Sequence, residues 1–222
     1  MSDRALILDF GGVISKTLFE THAATERALD LAPGTLTWRG PFDERSDALW
    51  VRMQAGELTE RDYWATRTRE VGALVGADWS QMSDFVIAAR GADPLAVIRP
   101  EALSAMQTAR AAGHRLALLS NELDLFYGAE FRTRLPFLTE ISVIVDATHT
   151  GILKPAAAAY EACLAQLELD ASACVFVDDQ RRNIDGARAV GLPSVHFDVT
   201  APGRSYAEAL ALLENANSIA GA

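Results

Sequence analysis

Short apolar runs, each closed by a polar residue, recur along the chain. The first covers Ala5 to Leu8 and ends at Asp9, with Gly11 and Gly12 close behind it. A short apolar run bounded by Asp and Gly indicates a buried strand that leads into a tight loop. Four more runs follow the same pattern: Arg115–Leu119 before Ser120 and Asn121, Ile141–Val145 before Asp146, Cys174–Val177 before Asp178 and Asp179, and Ser194–Phe197 before Asp198. The pattern predicts a parallel sheet whose functional site lies at the carboxyl ends of its strands.

Helical periodicity fills the stretches between most of these runs. The predicted helices are Pro100–Ala112, Pro155–Leu167, Asn183–Val190 and Tyr206–Leu213. Gly113 and Gly191 follow two of them, in the position that commonly ends a helix. Strands that alternate with helices in this way predict an α/β fold with a doubly wound parallel sheet.

The stretch between the first two strands has a different character. Residues from about 17 to 91 contain no clear buried strand, but they hold all four tryptophans and four amphipathic patterns: Phe19–Leu31, Asp43–Gln54, Thr59–Val71 and Trp79–Ala89. We therefore predict a helical cap at residues 15–92 and an α/β core at residues 1–14 and 93–222. The tryptophans are expected to form the core of the cap, and the cap is expected to cover the carboxyl edge of the sheet.

The charge composition narrows the function classes. The formal net charge is −10 and the isoelectric point is about 4.8, which argues against a nucleic-acid-binding surface because such surfaces are basic. No apolar run reaches the length of a membrane-spanning helix or a signal peptide, so we expect a cytoplasmic protein. Only Lys16 and Lys154 among the 20 basic residues are lysines. Because nearly all other basic residues are arginines, a position that carries lysine is a candidate for a role that needs a compact ammonium group. Lys154, in a Gly-Ile-Leu-Lys-Pro segment, is such a candidate.

The strand ends together offer a set of groups that suits phosphoryl transfer. They supply a candidate nucleophile (Asp9), hydroxyl and amide donors (Ser120 and Asn121) and an adjacent pair of carboxylates (Asp178 and Asp179). Lys154 would add a positive charge. In phosphoryl transfer, positioning and charge neutralisation provide most of the catalysis. The groups at the strand ends are therefore suited to phosphoryl-transfer chemistry.

Four segments in order resemble the motifs of the haloacid dehalogenase (HAD) superfamily. They are Leu6-Ile7-Leu8-Asp9-Phe10-Gly11-Gly12-Val13, Leu118-Leu119-Ser120-Asn121, Gly151-Ile152-Leu153-Lys154-Pro155, and Val175-Phe176-Val177-Asp178-Asp179 followed by Asn183. The resemblance implies a Rossmann-like core with a small helical cap after the first strand. Within the superfamily the chain is similar to the subgroup of glucose-1-phosphate phosphatase-like proteins and epoxide hydrolase phosphatase domains.

The resemblance implies a role for each matching residue. Asp9 would attack phosphorus and form an aspartyl-phosphate, and Lys154 would hold Asp9 and neutralise phosphate charge. Ser120 and the backbone N–H of Asn121 would bind phosphate oxygens. The expected substrate is a small-molecule phosphate ester, and neither its identity nor the oligomeric state follows from the sequence.

The expected cofactor is Mg²⁺. By the same resemblance, the carboxylates of Asp9 and Asp179 and the backbone carbonyl of Gly11 would bind the metal. Adjacent residues at a strand end point to opposite faces, so Asp178 is assigned instead to hydrogen bonding around the site. Asn183 would orient the groups that surround the metal.

Gly11 departs from the pattern of most phosphatases in the superfamily. They carry a second Asp two residues after the nucleophile, where it acts as general acid and base, a function worth about 10²–10⁴-fold in rate. Two alternatives stay open, and Gly11 supports only the second of them. One is a 2-haloacid dehalogenase, which needs no metal. The other is a non-catalytic protein that binds a phosphate ligand.

Overall fold

A parallel sheet of five strands forms the centre of the computed structural model, which describes residues 4–90 and 94–215. The strands are β1 (Ala5–Leu8), β2 (Arg115–Ser120), β3 (Val143–Asp146), β4 (Cys174–Asp178) and β5 (Ser194–His196). Their order across the sheet is β3-β2-β1-β4-β5, and each neighbouring pair is parallel. The predicted strands and the α/β class are confirmed. β1 lies in the middle of the sheet, so its residues are fully buried.

Of the ten α-helices that the described residues form, eight match predicted helices with shifted ends, and the two short ones at residues 123–127 and 147–150 were not predicted. The helices are α1 (His22–Ala28), α2 (Ala48–Gln54), α3 (Glu60–Leu74), α4 (Met82–Arg90), α5 (Pro100–Ala111), α6 (Leu123–Tyr127), α7 (Ala147–Thr150), α8 (Ala157–Leu167), α9 (Arg181–Ala189) and α10 (Pro202–Asn215). Short 3-10 helices cover Gly40–Phe42, Glu44–Ser46, Pro94–Val97, Ala129–Arg134, Pro136–Glu140 and Ala171–Ala173. Among the described residues, no helix combines the length and the apolar character needed to cross a membrane.

Capping explains two of the helix starts in the predicted cap. The predicted helix Asp43–Gln54 is shorter in the structure because the Asp47 carboxylate accepts a hydrogen bond from the backbone N–H of Trp50, which caps α2. Thr59 and Asp62 exchange the two hydrogen bonds of a capping box at the start of α3. Each bond satisfies a backbone donor that has no partner within the helix, so the chain fixes both starts locally.

The chain groups into two compact units. The core unit comprises Met1–Lys16, Ile98–Asp124 and Arg132–Ala222, and the helical unit comprises Thr17–Val97 and Leu125–Phe131. The segment Leu125–Phe131 differs from the predicted division, which assigned it to the core. The predicted boundary between residues 92 and 93 lies outside the described residues.

The core unit buries both faces of its sheet. Ala5 and Ile7 of β1 belong to an apolar cluster with residues of α8 and α9, while the alternate residues Leu6 and Leu8 are equally buried. Helices α5 and α10 contact each other and the central strands. Alternate side chains of a strand point to opposite faces, so a strand buried throughout needs helices on both sides.

Aromatic side chains form the core of the helical unit. Phe19 lies within 5.5 Å, between ring centroids, of Trp38, Trp50 and Trp64. These three tryptophans are buried, as predicted. His22 packs edge-on against Trp38 at 4.2 Å, and neither of its ring nitrogens has a hydrogen-bond partner among the described residues. Burial, reinforced by nearby arginines, lowers the pKa of His22 from 6.5 to about 4. His22 is therefore a neutral ring within an apolar core.

Candidate active site

Asp9 lies at the carboxyl end of the central strand, where its surroundings are fixed on two sides. Its backbone N–H donates to the Val177 carbonyl at 3.0 Å, which continues the pairing of β1 with β4. Its side chain is only 12% exposed, and its Oδ1 lies 2.9 Å from Lys154 Nζ. The structure thus brings together the predicted nucleophile and the predicted lysine.

Lys154 is a buried cation held by two carboxylates. Its Nζ lies 2.6 Å from Asp178 Oδ2 and 5.4 Å from the centre of the Phe176 ring. Burial alone would lower the pKa of Lys154, but Asp178 and Asp9 outweigh that effect and raise it. The ammonium group therefore stays charged at neutral pH. A side chain that neutralises the charge of a phosphate group needs this positive charge.

Three carboxylates converge beside this lysine. One oxygen from each of Asp9, Asp178 and Asp179 lies within 4.8 Å of the others. The expectation from strand geometry, that Asp178 and Asp179 point to opposite faces, was wrong, because β4 ends at Asp178 and Asp179 belongs to the bend that follows. Strand alternation therefore does not distinguish these two residues as metal ligands.

Hydrogen bonding distinguishes them instead. Asp178 is fully buried, and both of its oxygens accept from Asn183 Nδ2 at 3.0 Å. Its Oδ1 also accepts from the backbone N–H of Gln180 at 2.8 Å. With the Lys154 contact, these bonds use much of the acceptor capacity of Asp178. Asp179 is partly exposed. The bonding pattern favours Asp179 over Asp178 as a residue that faces a ligand.

The residues present fit a divalent cation. Three carboxylates meet at this edge, and the Lys154 ammonium group contacts two of them, those of Asp9 and Asp178. Burial raises the pKa of Asp9 to about 7, an effect that Lys154 opposes and Asp178 reinforces. Asn183 Oδ1 is a buried acceptor with no hydrogen-bond partner in the described part of the chain. Carboxylate oxygens and acceptors for bound water are what Mg²⁺ prefers.

The two glycines after Asp9 have different surroundings. Gly12 has φ +79°, and a Cβ built there would lie 2.4 Å from Asp179 Oδ2. Gly11 is exposed, and a Cβ there would meet nothing within 4 Å. Gly12 is therefore required by the close approach of Asp179. Neither the backbone nor the available space requires a glycine at position 11, so the Asp that the resemblance implies there would meet no steric obstacle at its Cβ.

Asn121 has a contact that the sequence did not indicate. Its side-chain Nδ2 donates to the Lys154 carbonyl at 3.1 Å, and its Oδ1 accepts from the Lys154 backbone N–H at 2.7 Å. Ser120, at the end of β2, is buried and accepts a long hydrogen bond from the Glu122 backbone N–H. The predicted role of Asn121 concerned only its backbone N–H. The side chain also fixes the backbone that carries Lys154, and no sequence signal pairs residues 33 positions apart.

A second acidic cluster lies near the end of β3. Asp124, Asp146 and His149 approach one another closely enough to suggest a metal site. Arg132 already lies 2.7 Å from both carboxylates, and the Asp146 oxygens also accept backbone N–H groups of Thr148 and Asp124. Because Arg132 and backbone N–H groups already bind these carboxylates, this cluster is a weaker candidate for a metal site than the one at Asp9.

Comparisons with known proteins found a family model, curated relatives and solved structures that are similar to this chain. The family model described as haloacid dehalogenase-like hydrolase matches residues 4–191. Acyl-CoA dehydrogenase family member 10 of Mus musculus is 27% identical over 89% of this chain, but the chain spans only 18% of that protein's length. A phosphoglycolate phosphatase of Yersinia pseudotuberculosis is 28% identical over 94% of this chain and 85% of its own. The structure of CbbY from Rhodobacter sphaeroides with xylulose-(1,5)bisphosphate superposes with a TM-score of 0.58 at 18% identity, covering 95% of this chain and 98% of CbbY.

Proposed function

Because the chain belongs to the haloacid dehalogenase-like hydrolase family, we propose that it is a Mg²⁺-dependent phosphatase that hydrolyses a small-molecule phosphate ester through an aspartyl-phosphate on Asp9. One observation carries the proposal. The Asp9 carboxylate is held by Lys154, with oxygens of Asp178 and Asp179 within 4.8 Å. A nucleophilic carboxylate, a buried cation and further acidic ligands are the groups that this chemistry requires.

The reaction proceeds in two steps at Asp9. In the first, an Asp9 oxygen attacks phosphorus as the bond from phosphorus to the leaving oxygen breaks, and the leaving oxygen departs as an alkoxide that takes a proton from water. In the second, water attacks the phosphorus of the aspartyl-phosphate, which releases inorganic phosphate and restores the carboxylate. Mg²⁺, held by Asp9, Asp179 and the Gly11 carbonyl, would neutralise phosphate charge when bound. Lys154 holds Asp9 in the direction of attack.

The remaining predicted residues bind and orient. Ser120 and the backbone N–H of Asn121 are proposed to donate to the phosphate oxygens. Asp178 keeps Lys154 charged and in place, and Asn183 holds Asp178 through its amide group. The metal thus depends on Asp9 and Asp179, while Asp178 acts through the lysine.

The substrate class rests on the relatives. The Yersinia protein is named a phosphoglycolate phosphatase, and the CbbY structure holds a sugar bisphosphate. Both names point to small phosphorylated metabolites, and we propose a substrate of that kind. The family name also covers dehalogenation, which needs no metal, so the acidic cluster is the feature that favours a phosphatase. The general acid missing at Gly11 is the feature that favours a non-catalytic binding protein.

One set of measurements separates these three functions. Purified protein is assayed with p-nitrophenyl phosphate, with and without Mg²⁺, and with 2-chloropropionate for halide release. We expect Mg²⁺-dependent release of nitrophenol that EDTA abolishes. Asp9→Asn, which keeps the shape but removes the nucleophilic oxygen, is expected to lose activity by about 10³-fold or more. A folded Asp9→Asn variant that retains turnover excludes Asp9 as the nucleophile, and halide release without metal supports the dehalogenase instead.

A further inference from the structure

The loop that follows Asp9 is held from outside by two side chains that lie far from it in sequence. Arg99 Nε donates to the Gly12 carbonyl at 3.1 Å. The Tyr206 hydroxyl donates to the Val13 carbonyl at 3.0 Å. Two consecutive carbonyls of one short loop thus receive a side-chain donor, although neither belongs to a helix or strand.

These two donors are themselves fixed by packing. Arg99 and Tyr206 are each 3% exposed. The Phe197 ring lies against both of them: the Arg99 guanidinium is 5.5 Å from its centre, and the Tyr206 ring packs edge-on at 5.1 Å. The Phe197 backbone N–H donates to the Asp178 carbonyl at 2.9 Å. The three side chains therefore connect the loop after Asp9 with the end of β4.

The same loop is tied at its far end. The Ser15 backbone N–H donates to the Phe10 carbonyl, and the Arg99 backbone N–H donates to the Ile14 carbonyl, both at 2.9 Å. The backbone carbonyls of residues 10, 12, 13 and 14 therefore each accept a hydrogen bond. The Gly11 carbonyl lies between these fixed peptide groups. A peptide unit is planar and can turn only if the φ and ψ angles on either side of it change. The neighbouring hydrogen bonds therefore set the direction of the Gly11 carbonyl.

We infer that Arg99 and Tyr206 are positioning residues for the metal site: by holding the carbonyls of Gly12 and Val13, they orient the Gly11 carbonyl and the Asp9 carboxylate toward the cation. The inference rests on the proposed function, in which Asp9, Gly11 and Asp179 bind Mg²⁺. Hydrogen-bond partners that orient metal ligands typically contribute about 10–100-fold to metal affinity. Arg99 is also charged, so its bond to the Gly12 carbonyl is of the stronger kind.

The decisive variant is Tyr206→Phe, because it removes one hydroxyl and keeps the ring that packs on Phe197. Mn²⁺ serves as the probe, and its free concentration is followed by electron paramagnetic resonance in the absence of any substrate. We expect Tyr206→Phe to weaken Mn²⁺ binding by about 10-fold, and Arg99→Ala by up to about 100-fold, with partial recovery in Arg99→Lys. The Mg²⁺ concentration for half-maximal turnover is expected to rise by similar factors.

Tyr63→Phe is the matched control. It removes a buried tyrosine hydroxyl that donates to Asp47 at 2.6 Å, within the helical unit. This change is expected to lower stability but to leave Mn²⁺ affinity within about twofold of wild type, since effects of distant sites are independent. The control separates loss of a buried hydrogen bond in general from loss of this particular one.

Asp179→Asn separates the two proposals. If Asp179→Asn loses Mn²⁺ binding while Tyr206→Phe binds it as wild type does, the positioning role is wrong and the proposed metal site stands. If Asp179→Asn itself binds Mn²⁺ normally, the metal site is misplaced and the positioning role falls with it. Should Arg99→Ala fail to fold, Tyr206→Phe alone decides.

Discussion

Adjacent glycines at positions 11 and 12 allow a paired test of the site, because the same small change is expected to impair the protein at position 12 and to leave it nearly unchanged at position 11. Gly12→Ala places a methyl group 2.4 Å from Asp179 Oδ2 and 2.8 Å from its Cγ. Ordinary contact begins at 3.4 Å, so the carboxylate must retreat by about 1 Å (3.4 − 2.4). Gly11→Ala meets nothing within 4 Å.

The magnitudes follow from these distances. An alanine at φ +79° is strained by roughly 1–2 kcal/mol, which lowers the free energy of unfolding of Gly12→Ala by that amount. A displacement of about 1 Å at a catalytic group costs on the order of 10²-fold in rate. Gly11→Ala has neither effect. Its free energy of unfolding is expected to stay within about 0.5 kcal/mol of wild type, and its turnover within about twofold.

The assay is the Mg²⁺ dependence of p-nitrophenyl phosphate hydrolysis, combined with urea unfolding of both variants. Gly12→Ala is expected to need far more Mg²⁺ and to turn over about 10²-fold more slowly. The urea curves show how much of the loss reflects unfolding. Equal activity in the two variants, with Gly12→Ala folded, would refute the placement of Asp179 against the loop. A large loss in Gly11→Ala would show that the exposed face of Gly11 is already in contact with substrate.

Three further changes test other parts of the site. Gly11→Asp adds a carboxylic acid where space is open. The dependence of kcat/KM on leaving-group pKa should therefore be steep in wild type and flatter in the variant. If the wild-type dependence is flat while the chemical step limits the rate, another residue supplies the proton. Asp179→Asn should chiefly weaken Mg²⁺ binding. Asp178→Asn leaves Lys154 with one carboxylate and should lower the free energy of unfolding by about 3–5 kcal/mol. Equal changes in Mg²⁺ affinity and in unfolding free energy for the two variants would contradict the assignment. His22→Gln should reduce the pH dependence of stability between pH 6.5 and 4. In wild type, His22 of the unfolded chain binds a proton near pH 6.5, whereas His22 of the folded chain does so only near pH 4. The free energy of unfolding of wild type therefore falls by up to about 3 kcal/mol as the pH falls through that window. Parallel stability curves for wild type and His22→Gln would exclude a lowered pKa.

Much of the fold could be predicted because the sequence states it locally. The central strand is apolar from Ala5 to Leu8 and ends at Asp9, and the four runs that predict the other strands are also closed by a polar residue. Burial on both faces of a parallel sheet requires such runs, so the pattern and the structure have one cause. The residues proposed for the site at the strand ends come together for the same reason, since parallel topology brings those ends to one edge.

Other features depend on packing that no local pattern records. The side chain of Asn121 bonds to the backbone of Lys154, and Tyr206 bonds to a carbonyl 193 residues away. The assignment of Asp178 and Asp179 to opposite faces failed because regular alternation stops where the strand does. Strand periodicity predicts which residues reach the edge, but the hydrogen bonds of the bends beyond it decide where each side chain points.

The central position of β1 has a consequence for how the protein is made. Ala5 pairs with Arg115 and with Cys174, which are 110 and 169 residues further along the chain. A ribosome adds about 5–20 residues per second, so the first strand waits roughly 10–30 s for its last neighbour to be synthesised. The backbone N–H of Asp9 bonds to Val177, and a chain interrupted before β4 lacks that bond together with Asp178 and Asp179. Chains truncated before β4 therefore contain the proposed nucleophile, Asp9, without the two carboxylates that are proposed to act beside it.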